Sequence, residues 1–448
     1  MAEPKPPIAF IGLGAMGFGM ATHLVKQGYA VTGFDVWAPT LERFAAAGGL
    51  TASTPSAAVA DKPFCVCMVA TAQQAQSVLV DGPDAAVHGL PQGAALLLCS
   101  TVPCDYVQSL ERQLRSLGRA DVLLVDCPVS GGATRAAEGT LTIMAGMSDA
   151  ALDKARPLLL ELADPAKLYI VQGGVGAGSN MKMVHQVLAA CGILGASEAM
   201  GFAARLGLDL AKTREAVLGS DAWTWMFEHR TTRMLTQFQP IASFVNIITK
   251  DAKIITDESK RYGFKLPMTS KAEERYLEAI AKGYGQDDDS SLLRLYTEAG
   301  NGEPGESSAK TDEEKLELVF DLLRGINLCA AGECLAFASV VGLDFEQVLD
   351  LCVNSAGSST VLKQYGPRLI SALRQSAESR SAKAAEGELS LDAVAEKLQR
   401  VLEEAERVKV SLSLGTQALG VVREVLKAGV SPLSLNALVN FWAAPSSQ

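Results

Sequence analysis

Three short stretches of this chain combine residue types and spacings that could do chemistry. In GSNMKMVHQVLAACG (178–192), Met181, Val184, Leu188 and Cys191 recur at helical spacing and would face a core, while Lys182 sits one position off that stripe. Gly12-Leu13-Gly14-Ala15-Met16-Gly17 lies between an apolar run and a helix-compatible stretch, the context in which a GxGxxG pattern marks a dinucleotide site. Gly12 permits a tight turn, Gly14 lets the backbone approach a pyrophosphate, and Gly17 lets helix and strand pack closely. Asp35 ends the next apolar run, where a carboxylate accepts from the ribose hydroxyls and repels a 2′-phosphate. No basic residue follows in Val36-Trp37-Ala38-Pro39-Thr40, so NAD is expected rather than NADP. Finally, Ser130-Gly131-Gly132, after the run VLLVDCPV, offers a hydroxyl and unhindered N–H groups suited to a small carboxylate.

The elements that must position these groups follow from periodicity. Residues 7–36 read strand, glycine turn, helix, strand, and further apolar runs come at 64–70, 95–101, 122–128, 140–146 and 167–173 with helix-compatible stretches between them. That alternation predicts a doubly wound, mostly parallel α/β sheet of the Rossmann type over residues 1–177. Beyond Gly178 strand signals vanish and helical periodicity runs nearly to the end.

The helical part contains an internal repeat. EAMGFAARLGLD (198–209) and ECLAFASVVGLD (333–344) share six of twelve residues, and Arg233 lies over Arg368 in the same register. A second block, KGYGQDDDSSLLRLY (282–296), parallels KAGVSPLSLNALVNFW (427–442) after an insertion that fits the polar stretch 374–388. The chain therefore divides into a dinucleotide domain (1–177), a helical domain (178–297), a Gly/Ser/acid-rich linker (298–312) and a second helical copy (313–448). Two copies of this length are a duplication rather than a solenoid.

Bulk properties exclude other classes. The net charge is −10, without a run of five like charges, which argues against a nucleic-acid or anionic-membrane surface. No eighteen-residue apolar stretch predicts a membrane span, and the start MAEPKPPIAFIGLG lacks signal-peptide or transit character, so a cytoplasmic protein is expected. The nine cysteines are scattered, with none of the His/Cys spacing of a zinc site, and no metal is expected. Asp287, Asp288 and Asp289 precede Ser290-Ser291 and a helix, where N-terminal capping explains them. Trp223, Trp225, Met226 and Phe227 read as packing, and His23 and His88 have no partner signature.

The motifs together resemble the β-hydroxyacid dehydrogenase family, the 3-hydroxyisobutyrate dehydrogenase group. GLGAMGFGMATHL is similar to its N-terminal signature, DCPVSGGATRAAEGTLTIMAG to its substrate motif, GVGAGSNMKMVHQ to its catalytic motif, and ITKDAK (248–253) to its later Lys-Asp pair. The resemblance covers roughly residues 7–297. It implies helical domains of the 6-phosphogluconate dehydrogenase C-terminal type. In the second copy Lys182 corresponds to Glu317, Gln186 to Asp321, Lys250 to Glu396 and Asp251 to Lys397, so one active site is expected, where the first domain meets the first helical copy. The resemblance makes Lys182 the catalytic acid/base, its apolar neighbours favouring the neutral amine by desolvation, and Ser130, Gly131 and Gly132 the carboxylate site. It places Ser100 and Thr101 in a cofactor-side loop and Lys250 at the nicotinamide end.

One departure stands out. The family usually has asparagine four residues after the lysine; here Gln186 follows His185, which resembles the subgroup acting on larger polyhydroxylated acids such as L-threonate. His185 is held as a substrate contact. The implied activity is NAD-dependent oxidation of a small 3-hydroxy or sugar acid. The alternatives are a reductase of a semialdehyde such as tartronate semialdehyde, and an inactive dinucleotide-sensing or scaffold protein. An intact Lys182 argues against the last, and against an imine reductase. Since the family's helical domains commonly pair between subunits, the second copy is expected to act as that partner in cis, an internal pseudo-dimer, with homo-oligomers left open.

Overall fold

The computed structural model describes residues 4–298, 309–375, 377–427 and 432–443. The chain divides into two compact units, the first ending at Lys182 and the second starting at Met183.

In the first unit, β1 (Ile8–Ile11), β2 (Val31–Phe34), β3 (Leu50–Thr51), β4 (Phe64–Cys67), β5 (Ala95–Leu98) and β6 (Leu123–Asp126) form one six-stranded sheet in the order β3-β2-β1-β4-β5-β6. Every pairing is parallel, with Ile8 opposite Val31 on one side and Phe64 on the other. Strand side chains alternate between two cores, as a sheet covered on both faces requires. Ile8, Phe10 and Val66 join one core; Ala9, Ile11, Cys65 and Cys67 join the other. The strand-like runs at 140–146 and 167–173 do not extend this sheet. β7 (Val129–Ser130), β8 (Leu141–Ala145) and β9 (Ala163–Ile170) form a separate three-stranded sheet, with β7 antiparallel and β9 parallel to β8. A two-residue strand straight after β6 leaves no room for a crossover helix, so β7 pairs antiparallel in a new sheet.

The second unit is all-helical among its described residues. The long helix Ala177–Arg205 crosses into it, and its length and hydropathy would suit a membrane, but 94% of its most apolar window is buried in protein. Two successions of elements share their bounds at a fixed spacing. Ala177–Arg205 is followed 135 residues on by Asp312–Val340 (177 to 312, 205 to 340), and Leu210–Leu218 by Phe345–Val353 at the same interval. Trp225–Met234 and Thr360–Leu373 start at that interval too. After the polar stretch the interval becomes 146, relating Val245–Arg261 to Leu391–Arg407 (245 to 391, 261 to 407), and Asp289–Leu293 to Leu435–Val439. The caps repeat as well: Asp209 and Asp344 accept from the N–H three residues on, as do Thr224 and Ser359.

The two sets hold one another reciprocally. Trp225 N–H donates to Ser358 C=O (2.8 Å) and Thr360 N–H to Trp223 C=O (3.1 Å). Glu198, buried in the first long helix, accepts from Leu414 and Gly415 N–H (2.7 and 3.1 Å), the first turn of Ser413–Leu426. Glu333, its counterpart, accepts from Met268 and Thr269 N–H (2.8 Å each), the first turn of Pro267–Ala281. Each carboxylate thus satisfies helix-start donors that have no intrahelical partner. Burial pushes both carboxyls up to about 7. Of the linker read over 298–312, residues 299–308 lie outside the described residues; beyond them Thr311 and Glu314 close a capping box at the second long helix.

Candidate active site

The glycine turn after β1 has the geometry a dinucleotide requires. Gly12 has φ +92°, and a Cβ there would lie 2.4 Å from Met68 O. A Cβ on Gly17 would lie 2.0 Å from Gly12 O, so only glycine lets the helix Ala15–Lys26 start this close to the strand. At Gly14 a Cβ would meet nothing within 4 Å, which leaves its backbone open to a ligand, and Leu13, Ala15 and Met16 complete the turn. Asp35 ties the end of β2 to this turn: its two carboxylate oxygens accept from Leu13 N–H (2.7 Å) and Trp37 N–H (2.9 Å). A carboxylate has further lone pairs for a ribose diol. These residues fit an NAD molecule. Ser100 is fully buried and accepts from Val69 N–H at 2.9 Å, so it holds the turn after β4; Thr101 beside it is half-buried.

The Ser-Gly-Gly turn leaves β7 with Ser130 half-buried, Gly131 at φ +137° and Gly132 at φ +74°. Both glycine φ values lie where L side chains are strained, and no protein atom lies within 4 Å of a Cβ built on Gly132.

Lys182 is 5% exposed, between Met181 (0%) and Met183 (2%). The start of its helix is set by a residue that sequence reasoning passed over. Asp126, at the end of β6 and fully buried, accepts from Ser179 N–H (2.7 Å), Ser179 Oγ–H (2.7 Å) and Gly176 N–H (3.1 Å). Gly178 must be glycine, since a Cβ there would lie 2.4 Å from both Asp126 O and Met144 O. Burial outweighs these hydrogen bonds and lifts the Asp126 carboxyl to about 6. The signal was present in the sequence, an aspartate closing an apolar strand ahead of Ser130, but its partner lies fifty residues on.

In the second unit Gln186 donates from Nε2 to Asp251 Oδ2 at 2.6 Å, and Lys250 Nζ stands 3.0 Å from Asp251 Oδ1. Asp251, 6% exposed, therefore joins two residues singled out from the sequence without itself having been named as a site residue. His185 is fully buried. The aspartate run does more than cap. Asp288 accepts from Ser290 N–H (3.0 Å) and pairs with Arg233 (2.9 Å), while Asp289 receives both Nε and Nη2 of Arg230 at 2.7 Å. In the second set Arg368 reaches Ser434 Oγ (2.7 Å), the counterpart of Asp288. Trp225 stacks on His229, and Met226 and Phe227 are core residues.

A six-stranded parallel sheet with this glycine turn and its carboxylate defines a dinucleotide-binding protein. Comparison with known proteins gives the family. The signature described as the NAD-binding domain of 6-phosphogluconate dehydrogenase matches residues 7–174. That described as the NAD-binding domain of NADP-dependent 3-hydroxyisobutyrate dehydrogenase matches twice, at 176–296 and 314–442. The chain belongs to the β-hydroxyacid dehydrogenase family and is an NAD-binding oxidoreductase. An L-threonate dehydrogenase of Cupriavidus necator is 34% identical over 289 residues, 64% of this chain and 95% of that protein. A 3-hydroxyisobutyrate dehydrogenase structure from Salmonella typhimurium, 31% identical, covers 65% of this chain and 100% of its own with a TM-score of 0.60. The 6-phosphogluconate dehydrogenase of Plasmodium falciparum, only 13% identical, is alike in fold over 95% of this chain and 94% of its own, with a TM-score of 0.67.

Proposed function

We propose that this protein oxidises a small 3-hydroxy or sugar acid, of which L-threonate is the best candidate, with Lys182 as the acid/base. Bound NAD supplies the hydride acceptor. The chain's own residues do the rest. The Ser130 hydroxyl and the N–H groups of Gly131 and Gly132 hold the substrate carboxylate, and Lys182 Nζ takes the proton from the hydroxyl being oxidised. Gln186 donates one Nε2–H to Asp251, which fixes the amide and leaves its carbonyl Oε1 to accept from a further substrate hydroxyl. That suits a polyhydroxylated acid better than a hydrocarbon one, and His185 stands beside it as a second contact. Lys250, paired to the same Asp251, adds a cation on the cofactor side. The observation that supports this reading most is the placement of Lys182: an almost fully buried amine on a helix whose start Asp126 and Ser179 hold rigidly. The L-threonate dehydrogenase relative supports the choice of acid.

We also read residues 178–297 and 313–448 as two copies of one domain, the second serving as an internal partner to the first. The reciprocal Glu198 and Glu333 bonds support this, as does the double family match.

The test is a hydride-transfer assay with NAD and NADP against L-threonate, 3-hydroxyisobutyrate, glycerate and tartronate semialdehyde. Turnover of L-threonate with NAD, lost in Lys182→Ala, is the expected result. Turnover only of the semialdehyde with a reduced cofactor would replace this reading, and no turnover of any acid would leave a dinucleotide-binding protein without this chemistry.

A further inference from the structure

A cavity of about 290 Å³ opens in the second unit, and none of the site residues named above lines it. Its charged wall is formed by Asp221, Glu317, Asp321, Arg324 and Lys397, with Tyr365 beside them. Leu328 and Val361 give it an apolar floor.

Its place in the fold is informative. Glu317 and Asp321 stand on Asp312–Val340 where Lys182 and Gln186 stand on Ala177–Arg205, and Lys397 stands on Leu391–Arg407 where Asp251 stands on Val245–Arg261. In the first set these two helices are bonded through Gln186 and Asp251 at 2.6 Å; in the second the same two positions are bonded through Asp321 and Lys397 at 2.8 Å. The scaffold of the substrate position is kept and its charges are redistributed.

The redistribution selects a ligand class. Three carboxylates face two cations, an excess of one negative charge. Arg324 is spent: Nε donates to Asp221 Oδ1 (2.9 Å), and Nη1 donates to Glu317 Oε1 (2.6 Å) and Asp321 Oδ1 (3.0 Å). Lys397 is held by Asp321. Among the described residues this leaves Asp221 Oδ2 and Glu317 Oε2 as further acceptors, on lining side chains that are 57% and 53% exposed. An anion would meet that excess of carboxylate, whereas an ammonium group is attracted to it and a short hydrocarbon chain can lie on the floor. The volume is at the small end of ligand pockets, roughly 300 Å³, which fits a molecule of a few carbons.

We propose that this cavity is a second small-molecule site, specific for an aliphatic ammonium compound. It stands independently of the catalytic reading, because its readout is binding and not turnover.

The test is calorimetric titration of the full chain with putrescine, butanediol and succinate, probes of equal carbon count that differ in charge. Putrescine is expected to bind saturably at one site, at least about tenfold tighter than butanediol, with no binding of succinate. Glu317→Gln, at an exposed position, should weaken putrescine about tenfold, while Lys397→Gln and Lys182→Ala leave it bound. Absence of saturable putrescine binding overturns the proposal, as does equal binding of succinate. Indifference of putrescine to Glu317→Gln, or its loss in Lys182→Ala, overturns it equally.

Discussion

Where the first helical set has Lys182, Gln186 and Asp251, the second has Glu317, Asp321 and Lys397; where the first has Glu198, the second has Glu333. The first three pairs differ in charge and the fourth is identical. The identical pair is the one whose two members reach across to the other set's helix starts, so each is needed for the other set to pack. Two of the differing pairs still join the same two helices in each set, through Gln186–Asp251 and Asp321–Lys397, with different charges. The packing glutamates are kept in both sets while the charges around positions 182 and 317 diverge.

The largest effect expected from this contrast is at Lys182. Lys182→Ala should lower kcat/KM for the acid by about 10³-fold, within the usual span of a general acid/base, and leave NAD binding unchanged in fluorescence titration. Glu317→Ala, at the matching position, should leave turnover unaltered, and a comparable loss there would end the asymmetry.

Asp126→Asn keeps an acceptor for the helix-start N–H groups but removes the charge. It should lower kcat by about 10²-fold through misplacement of the lysine, with KM for NAD little moved. Ser179→Ala, which loses only one of the bonds, should show a smaller fall of the same kind. A change confined to stability in both variants would make Asp126 merely structural.

Glu198→Ala and Glu333→Ala should each cost about 3 kcal/mol in denaturant unfolding, because two buried N–H groups lose their acceptor. Near-equal costs sharpen the reciprocity; a cost at one alone breaks it. The sign of their pH dependence follows from carboxyls raised to about 7 in the folded chain. The folded state holds the proton more tightly than the unfolded, so this contribution is full below the ordinary glutamate range and fades as pH rises through about 7. Melting temperature should fall over that window and flatten in the double Gln variant.

The smallest effect is at Asp35. Asp35→Ala should weaken NAD about tenfold and narrow its advantage over NADP, read from KM for each.

Much of the site was legible before the structure because it depends on local spacing. The Gly12–Gly17 turn, the Ser130–Gly132 turn and the stripe around Lys182 each lie within one strand–turn–helix step, and backbone sterics dictate glycine there whatever surrounds it. The helix bounds recur at 135 and then 146 residues, the two offsets at which the sequence repeats. Asp126 was overlooked, and Asp251 was seen only as part of a Lys-Asp pair, because an aspartate shows its partners only when residues remote in sequence are folded against it. Ser100 was expected in a cofactor-side loop; the fold adds that its hydroxyl accepts from Val69 N–H. The runs at 140–146 and 167–173 have strand character, but nothing in their composition says which sheet receives them.

By itself the amino-acid order determined the alternation of strands and helices, the dinucleotide turn with its carboxylate and the doubled helical pattern, since all of these rest on spacing within a few residues of each element. Tertiary structure alone decided that Lys182 is buried, which carboxylates are buried, which helix starts those carboxylates satisfy, and that the second helical set lines a charged cavity with the counterparts of Lys182, Gln186 and Asp251. Those outcomes depend on desolvation and on donors brought together from distant positions, and neither quantity exists until the chain has folded.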